Sequence, residues 1–142
     1  MKKILSLLLC FCVLFSTACS MIDAPSTKKM IKYYSDDSNY EEVTGIVKEK
    51  RDSEYIIVMI TTEYHTYYSD TESHYIRFTL WSHSALTEHI NVGDEITLIS
   101  SSMRFYASHT LPIIALKKDG EVLLSFEEGK AGYLAWIQEK FD

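Results

Sequence analysis

The pattern of apolar and polar positions after residue 40 predicts a succession of β-strands. The clearest alternation runs from His74 to Trp81, where Ile76, Phe78 and Leu80 fall on one parity and polar or aromatic residues on the other. A period of two is typical of a strand with one buried face. The segment Glu54 to Tyr64 is apolar on both parities, which predicts a central strand that is covered on both faces.

Further strands and two helices complete the predicted order of elements. Four more strands are predicted at Glu42 to Arg51, Glu95 to Tyr106, Pro112 to Lys117 and Glu121 to Phe126. The last two are joined by Lys118-Asp119-Gly120, and an Asp-Gly pair favours a tight hairpin because both positions tolerate positive φ. A short helix is predicted at Ala85 to Ile90. A C-terminal helix from about Lys130 to Phe141 has one apolar face, formed by Leu134, Ile137 and Phe141.

The order of these elements resembles the OB-fold, a five-stranded barrel with a helix between its third and fourth strands. The resemblance extends over about Tyr40 to Phe126 and includes Asn91-Val92-Gly93-Asp94-Glu95-Ile96 at the entry to the fourth strand. It implies a mainly β domain, an OB-like barrel of five to six strands with the short helix between strands three and four and an added C-terminal helix. OB-folds bind ligands on strands two and three, so a ligand is expected on that face.

The first nineteen residues have the organisation of a signal peptide. Lys2 and Lys3 precede an apolar run from Ile4 to Phe15, and small residues follow as far as Ala18. A transmembrane helix needs about 20 apolar residues to cross the hydrocarbon core, and this run is shorter. We therefore expect residues 1–18 to be a leader that is cleaved before Cys19.

The segment Phe15-Ser16-Thr17-Ala18-Cys19-Ser20 resembles the lipobox of bacterial lipoproteins, in which a small residue precedes a cysteine that is diacylated and becomes the new N-terminus. The resemblance implies that Cys19 carries acyl chains such as palmitate, which attach the protein to the extracytoplasmic face of the cell membrane. Ser16 stands where these lipoproteins usually carry Leu, which leaves ordinary secretion as the alternative. Cys10 and Cys12 lie inside the leader, so no disulfide can form within the mature chain.

The composition divides the mature chain into a tether and one domain. Residues 19–39 are predicted to be a lipidated tether, since the cluster Ser35-Asp36-Asp37-Ser38-Asn39 stops a helical turn at Met30 to Tyr34. Residues 40–142 are long enough for one OB-like domain. The chain is also similar to small uncharacterised lipoproteins of Gram-positive bacteria, which share segments like Tyr33 to Tyr40 and Leu111 to Leu116. That resemblance implies export and a single domain, and no activity.

The charge of the mature chain excludes one class of partner. Without Lys2 and Lys3 it carries 12 Lys and Arg against 20 Asp and Glu, a net charge of −8. Nucleic-acid binding depends on clustered Lys and Arg, and the three arginines, Arg51, Arg77 and Arg104, lie far apart in sequence. We therefore predict no nucleic-acid partner, and the same charge disfavours an anionic membrane surface.

Five histidines raise the question of a metal site. The closest cluster consists of His65, Asp70, Glu72 and His74. Its spacing fits no zinc pattern, because structural zinc sites pair their ligands at short intervals and usually include Cys. We predict no metal site and no cofactor, and we interpret these side chains as solvated loop residues.

The sequence contains no recognisable catalytic motif. Ser82-His83-Ser84 places hydroxyls beside an imidazole, but neighbours along a strand point to opposite faces, so His83 is predicted not to serve an adjacent serine. Glu41-Glu42 and Glu127-Glu128 are adjacent in sequence, whereas glycosidase chemistry needs two carboxyls that face each other across a cleft. We predict a protein that is not an enzyme. The alternative is an envelope-associated hydrolase whose histidines converge with carboxylates in three dimensions, from among His65, His74, His83 and His109.

Aromatic residues on the outward parity of the third strand predict a binding face. The outward row consists of Tyr75, Arg77, Thr79 and Trp81, with Tyr64, Tyr67 and Tyr68 near the same hairpin. Aromatic rings stack on sugars or pack against peptides, and Arg77 is able to pair with a carboxylate. We predict a binding or interaction module for a protein, peptide or glycan, with a site at Tyr75, Arg77, Trp81, Tyr64 and Tyr68. The alternative is that the terminal helix covers these rings.

Replacing the lipid-bearing cysteine tests the anchor. Cys19→Ser is expected to move the protein from the membrane to the soluble fraction, or to leave the precursor uncleaved, because serine provides no thiol for acylation. Cell fractionation and labelling with a radioactive fatty acid measure both effects. Cys12→Ser, in the leader, is the matched control, and unchanged lipid labelling of the Cys19→Ser protein contradicts the assignment.

Overall fold

The computed structural model describes residues 26–52, 55–64, 74–102 and 110–141. Within these ranges the chain forms six strands, two α-helices and two short 3₁₀ helices. Several residues of the sequence analysis lie outside the described residues: the leader 1–18, Cys19, His65, Tyr67, Tyr68, Asp70, Glu72, Arg104 and His109.

Six strands form one sheet that closes on itself. They are β1 (Tyr40–Arg51), β2 (Tyr55–Ile60), β3 (Tyr75–Thr79), β4 (Glu95–Ser101), β5 (Leu111–Lys118) and β6 (Glu121–Leu124). Neighbouring strands pair antiparallel in the order β3-β2-β1-β4-β5-β6. A parallel pairing of Phe78 with Leu111 and of Thr79 with Pro112 joins β3 to β5, so β1 to β5 form a ring. The mainly β class predicted from the periodicity is confirmed.

The interior of the ring is filled by the inward parity of each strand. On β3 the predicted inward residues Phe78 and Leu80 are buried, and Ile76 is partly buried beside them. A 3₁₀ helix at Ser84–His89, where the sequence predicts a short helix, is followed by Ile90, which is fully buried in the same core. Other buried residues of this interior are Val43, Val47, Ile56, Val58, Ile96, Leu98 and Leu116.

Two predicted local features of the sheet are also present. Asp119 and Gly120 have φ of 52° and 80°, as expected of the Asp-Gly hairpin between β5 and β6. In the sequence, the apolar parity changes from Ile96 and Leu98 to Met103 and Phe105, which predicts a bulge between them. The register between β4 and β5 shifts between Ile99 and Ser100. Ser100 is buried there, and its hydroxyl donates to the carbonyl of Pro112 at 2.7 Å. The buried hydroxyl of Ser100 therefore has the hydrogen-bond partner that a buried polar group requires.

Two α-helices, α1 (Thr27–Ser35) and α2 (Phe126–Phe141), pack against each other outside the ring, and α2 also packs against β5. The helices run antiparallel. The Thr27 hydroxyl donates to the carbonyl of Phe141 at 2.8 Å, and Lys130 Nζ donates to the carbonyl of Ser35 at 2.8 Å. We call α1 and α2 together the helix layer.

Helix α2 differs in extent and orientation from the predicted C-terminal helix. It begins at Phe126, four residues earlier than predicted, and the backbone N–H of Glu128 donates to the Ser125 hydroxyl at 3.3 Å. Its buried face contains Gly129, Tyr133 and Ile137. Ile137 is on the predicted face, whereas Phe141 is 37% exposed. A Cβ on Gly129 would lie 1.8 Å from the carbonyl oxygen of Ile114, so only glycine permits this close crossing of β5.

Residues 27–39 belong to the folded domain, although the sequence analysis assigned them to the tether. Met30 and Tyr34 are each 1% exposed. The Tyr34 ring meets that of Tyr133 edge to face at 4.9 Å, and the Tyr40 hydroxyl donates to the Tyr34 carbonyl at 2.7 Å. The prediction was wrong because a nine-residue helix with two buried residues gives little sequence signal. Its stability comes from packing on α2, which lies about 100 residues later in the chain.

The contribution of α1 to stability is measurable at Tyr34. Tyr34→Ala is expected to lower the free energy of unfolding by about 3–5 kcal/mol, because it removes a fully buried ring and leaves a cavity. Tyr75→Ala is the matched control, since that tyrosine is 54% exposed and its loss should change stability by less than about 0.5 kcal/mol. Urea titration followed by circular dichroism gives both values. Equal stability of the two variants would contradict the packing of α1 described above.

Candidate ligand-binding face

Two residues of the predicted row lie side by side on the outside of the ring. In the pairing of β2 with β3, Tyr75 stands opposite Met59 and Arg77 stands opposite Ile57. Tyr55 is diagonal to Arg77, and the guanidinium carbon of Arg77 lies 4.3 Å from the centre of the Tyr55 ring. We call these five residues, Tyr55, Ile57, Met59, Tyr75 and Arg77, the outer β2–β3 face.

The outer β2–β3 face combines partly exposed apolar surface with one cation. Tyr75 is 54% exposed, and the other four side chains are partly exposed. Arg77 forms no ion pair with any carboxylate of the described residues, and its guanidinium stacks on the Tyr55 ring. Stacking over an aromatic ring holds the guanidinium plane and leaves its N–H edge able to donate to a carboxylate or a hydroxyl. This arrangement can recognise an anionic group beside an apolar or ring-shaped one.

Three of these five residues were missed as site residues by the sequence analysis. The sequence predicts Tyr55, Ile57 and Met59 to lie on the second covered face of a central strand. In the ring, β2 buries only the parity of Ile56 and Val58, and the other parity is only partly covered. The signal was present in the sequence, because a strand in a closed ring needs only one apolar parity, and a second one marks an apolar outer surface.

The remaining two residues of the predicted row are not part of this face. Strand β3 ends at Thr79, which is 2% exposed, and Trp81 lies in the turn that follows. The Trp81 ring stacks on Trp136 at 4.8 Å and lies 6.2 Å from the ring of Tyr133, both on α2. The alternative that the terminal helix covers the row is therefore correct for Trp81 and not for Tyr75.

Tyr64 contributes to the core and not to the outer surface. Its ring packs near Phe78, with 6.3 Å between centroids, and its hydroxyl donates to the carbonyl of Ser101 at 2.7 Å. Burial raises the pKa of Tyr64 well above its ordinary value. Such a hydroxyl stays protonated and ties the end of β2 to β4, so Tyr64 is a structural residue. Tyr68 lies outside the described residues.

Ser82 and His83 are hydrogen-bonded to each other, contrary to the prediction that neighbours in sequence would point apart. Ser82 Oγ lies 2.9 Å from His83 Nδ1. The prediction was wrong because Ser82 lies in the turn after β3 and not in a strand. A Cβ on Gly132 would meet His83 Cε1 at 2.6 Å and Nε2 at 3.4 Å, so that edge of the ring rests against α2. We interpret the pair as a packing contact between the turn and the helix layer.

The described residues bring no metal-ligating set together. His74 and His89 are exposed, and no group of three or more His, Cys, Asp or Glu side chains within the described ranges is arranged to hold a metal ion. His65, Asp70, Glu72 and His109 lie outside them.

A cleft elsewhere on the described part of the chain is a second candidate site. This cleft of about 570 Å³ is lined by Lys50, Asp52, Ser84, Ala85, Thr87 and Glu88. The Lys50 ammonium donates to the carbonyl of Ile90 at 2.9 Å, and Lys118 pairs with Asp94 at 2.5 Å nearby. The Lys118 hydrogen bond lowers the pKa of Asp94. The Lys50 hydrogen bond attaches the residue after the 3₁₀ helix to β1. No aromatic side chain lines the cleft, so the outer β2–β3 face is the stronger candidate.

Comparison with known proteins adds no relative. A scan against protein-family models and searches of curated proteins and of solved structures found no match for this chain. In the part of the chain that the structure describes, no helix is both long and apolar enough to cross a bilayer. The candidate site therefore rests on its own geometry.

The two ends of the predicted row should respond differently to truncation. Trp81→Ala is expected to lower the free energy of unfolding by about 2 kcal/mol, because it removes a ring that stacks on Trp136 and attaches the turn after β3 to α2. Arg77→Ala should change it by less than about 1 kcal/mol, since its contact is a surface cation–π pair. Urea titration measures both. An unchanged free energy of unfolding in the Trp81→Ala variant would contradict the stacking of this ring on α2.

Proposed function

We propose that this chain is an exported, lipid-anchored binding module that holds its ligand on the outer β2–β3 face. The anchor is the diacylated Cys19, and the ligand is a peptide or glycan segment that carries a carboxylate. The module binds and does not catalyse. The observation that carries the proposal is the Arg77 guanidinium stacked on Tyr55 beside the exposed Tyr75.

The order of strands around the ring supports an OB-like barrel. The ring runs β1-β2-β3-β5-β4 and back to β1, with the 3₁₀ helix Ser84–His89 between β3 and β4. The OB-fold resemblance of the sequence implies the same placement of the helix. OB-folds bind oligosaccharides and oligonucleotides on the face of strands two and three. In this chain the net charge opposes phosphate backbones, which favours a sugar or a peptide.

The dimensions of the face fit a short segment of a larger ligand. Two strands lie about 5 Å apart, and the five positions from Tyr55 to Met59 extend for about 13 Å at about 3.3 Å per residue. Two or three sugar rings, or four extended residues, cover such a surface. Tyr75 provides a ring for stacking, and Arg77 provides donors for a carboxylate.

The hydrolase alternative has less support from the described residues. Among the histidines that the structure describes, His83 is the one hydrogen-bonded to a hydroxyl, and the other edge of its ring rests against α2 at Gly132. A general base needs an open path to the proton that it removes. The contact described for His83 is better explained by packing.

Binding assays with charge-matched variants test the proposal. Fluorescence anisotropy of carboxylate-bearing glycans and peptides, selected on an array with the mature chain, gives Kd for each variant. Arg77→Gln is expected to raise Kd about tenfold to hundredfold, because a hydrogen bond to a charged group contributes about 1.5–3 kcal/mol. Tyr75→Ala should weaken binding as well, through lost stacking.

Two controls separate this face from non-specific attraction. Lys117→Gln removes one positive charge from the exposed surface of β5 and should leave Kd unchanged. Replacing the ligand carboxylate by an amide should reduce the difference between wild type and Arg77→Gln. Full affinity of the Arg77→Gln and Tyr75→Ala variants, or the absence of any binder on the array, would contradict the proposal.

A further inference from the structure

Helix α1 has two faces of opposite character. Met30 and Tyr34, one turn apart, are buried against the domain. Lys28 and Lys32, also four residues apart, are exposed, and the 100° rotation per residue places both on the side opposite Met30. Lys29 is exposed between these two faces. The helix TKKMIKYYS contains no acidic residue, so every charged side chain on its outer side is basic.

The end of α2 lies beside the start of this basic surface. The hydrogen bond from Thr27 to the Phe141 carbonyl brings the start of α1 and the end of α2 together. Lys140 is exposed there, and Phe141 is 37% exposed. Glu139 is the exposed acidic residue of this last turn, and Asp142 follows it outside the described residues. We call Lys28, Lys29 and Lys32 the lysine face.

The chain places the lysine face close to the expected anchor. Cys19 precedes Thr27 by eight residues, a distance of at most about 29 Å at full extension. The first turn of α1 is therefore the part of the described domain that follows the acylated cysteine most closely in sequence. A lipid on Cys19 would keep the lysine face within reach of the lipid headgroups. This step rests on the anchor that is part of the proposed function.

We propose that the lysine face is a membrane-docking surface that binds anionic lipid headgroups and turns the helix layer toward the bilayer. Each lysine at an anionic surface strengthens binding about fivefold. The anionic membrane surface repels the acidic residues on the rest of a mature chain of net charge −8. This repulsion favours the orientation in which the lysine face meets the membrane. The helix layer packs on β5, so docking in this way leaves the outer β2–β3 face uncovered.

This inference revises the expectation that net charge disfavours anionic membranes. Salt screens the repulsion between distant acidic residues and the membrane, because the Debye length is only about 8–10 Å at physiological ionic strength. The lysine face, in contrast, would lie in direct contact with the headgroups. Three of the nine lysines of the mature chain are on this face. Local charge therefore decides the interaction once the lipid holds the domain near the membrane.

The test attaches the mature chain to vesicles by chemistry that does not depend on acylation in the cell. Residues 19–142 contain one cysteine, Cys19, which reacts with a maleimide-bearing lipid. Energy transfer from Trp81 and Trp136 to a dansyl-labelled headgroup then reports the distance between the helix layer and the bilayer. The two tryptophans are stacked, so they act as one donor position. Failure of docking here and failure of Cys19 acylation are thus separate results.

Docking predicts higher energy transfer on vesicles of phosphatidylcholine with phosphatidylglycerol than on phosphatidylcholine alone. The difference should disappear in about 1 M NaCl, where the Debye length is about 3 Å. Lys28→Glu with Lys32→Glu should abolish it, and Lys28→Gln with Lys32→Gln should reduce it. Lys48→Glu with Lys117→Glu, which changes the net charge equally on β1 and β5, should preserve it.

Three outcomes would overturn the inference. Equal energy transfer on both vesicle compositions would show that the lysine face does not bind the headgroups. Equal loss in the Lys48→Glu/Lys117→Glu control would show a net-charge effect. Loss of transfer on addition of soluble poly(glycerol phosphate), at the same phosphate concentration as the lipid, would assign the surface to a soluble anionic polymer.

Discussion

The parallel pairing of β3 with β5 is the constraint on which the rest of the structure depends. Phe78 and Thr79 lie beside Leu111 and Pro112, and this short contact turns an open sheet into a ring. In a ring each strand has an inner and an outer side, so Phe78 is fully buried while Arg77, its neighbour in sequence, is partly exposed. Ring closure also gives the second edge of β3 a hydrogen-bonding partner in β5. Without it, that edge would be open to pairing with a strand of another chain.

The helix layer divides the outside of that ring into two parts. It covers β5 and the turn at Trp81, where Trp81 stacks on Trp136, and it leaves Tyr75 and Arg77 open on β3. Under the proposed functions, ligand recognition and membrane docking use different parts of the same small domain. Tyr34 is important for this division, because its packing on Tyr133 holds α1, and with it the lysines, against α2.

The sequence predicts the strands well because each one carries its own periodic signal, as Ile76, Phe78 and Leu80 do on β3. It predicts Tyr75 and Arg77 as outward residues for the same reason. The alternation of inward and outward side chains does not continue to Trp81, Ser82 and His83, because the strand ends at Thr79 and a turn changes the direction of the chain. Ring closure and the packing of α1 depend on contacts between distant segments, as between Tyr34 and Tyr133, and no local pattern reports them.

The most direct test is nuclear magnetic resonance of the mature chain, through nuclear Overhauser contacts between the backbones of β3 and β5. The structure predicts contacts of Phe78 with Leu111 and of Thr79 with Pro112, together with contacts between the rings of Trp81 and Trp136. Contacts of β3 with β2 alone, and none from Trp81 to α2, would show an open sheet with an uncovered row. That result would contradict the closed ring and the division of its outer surface.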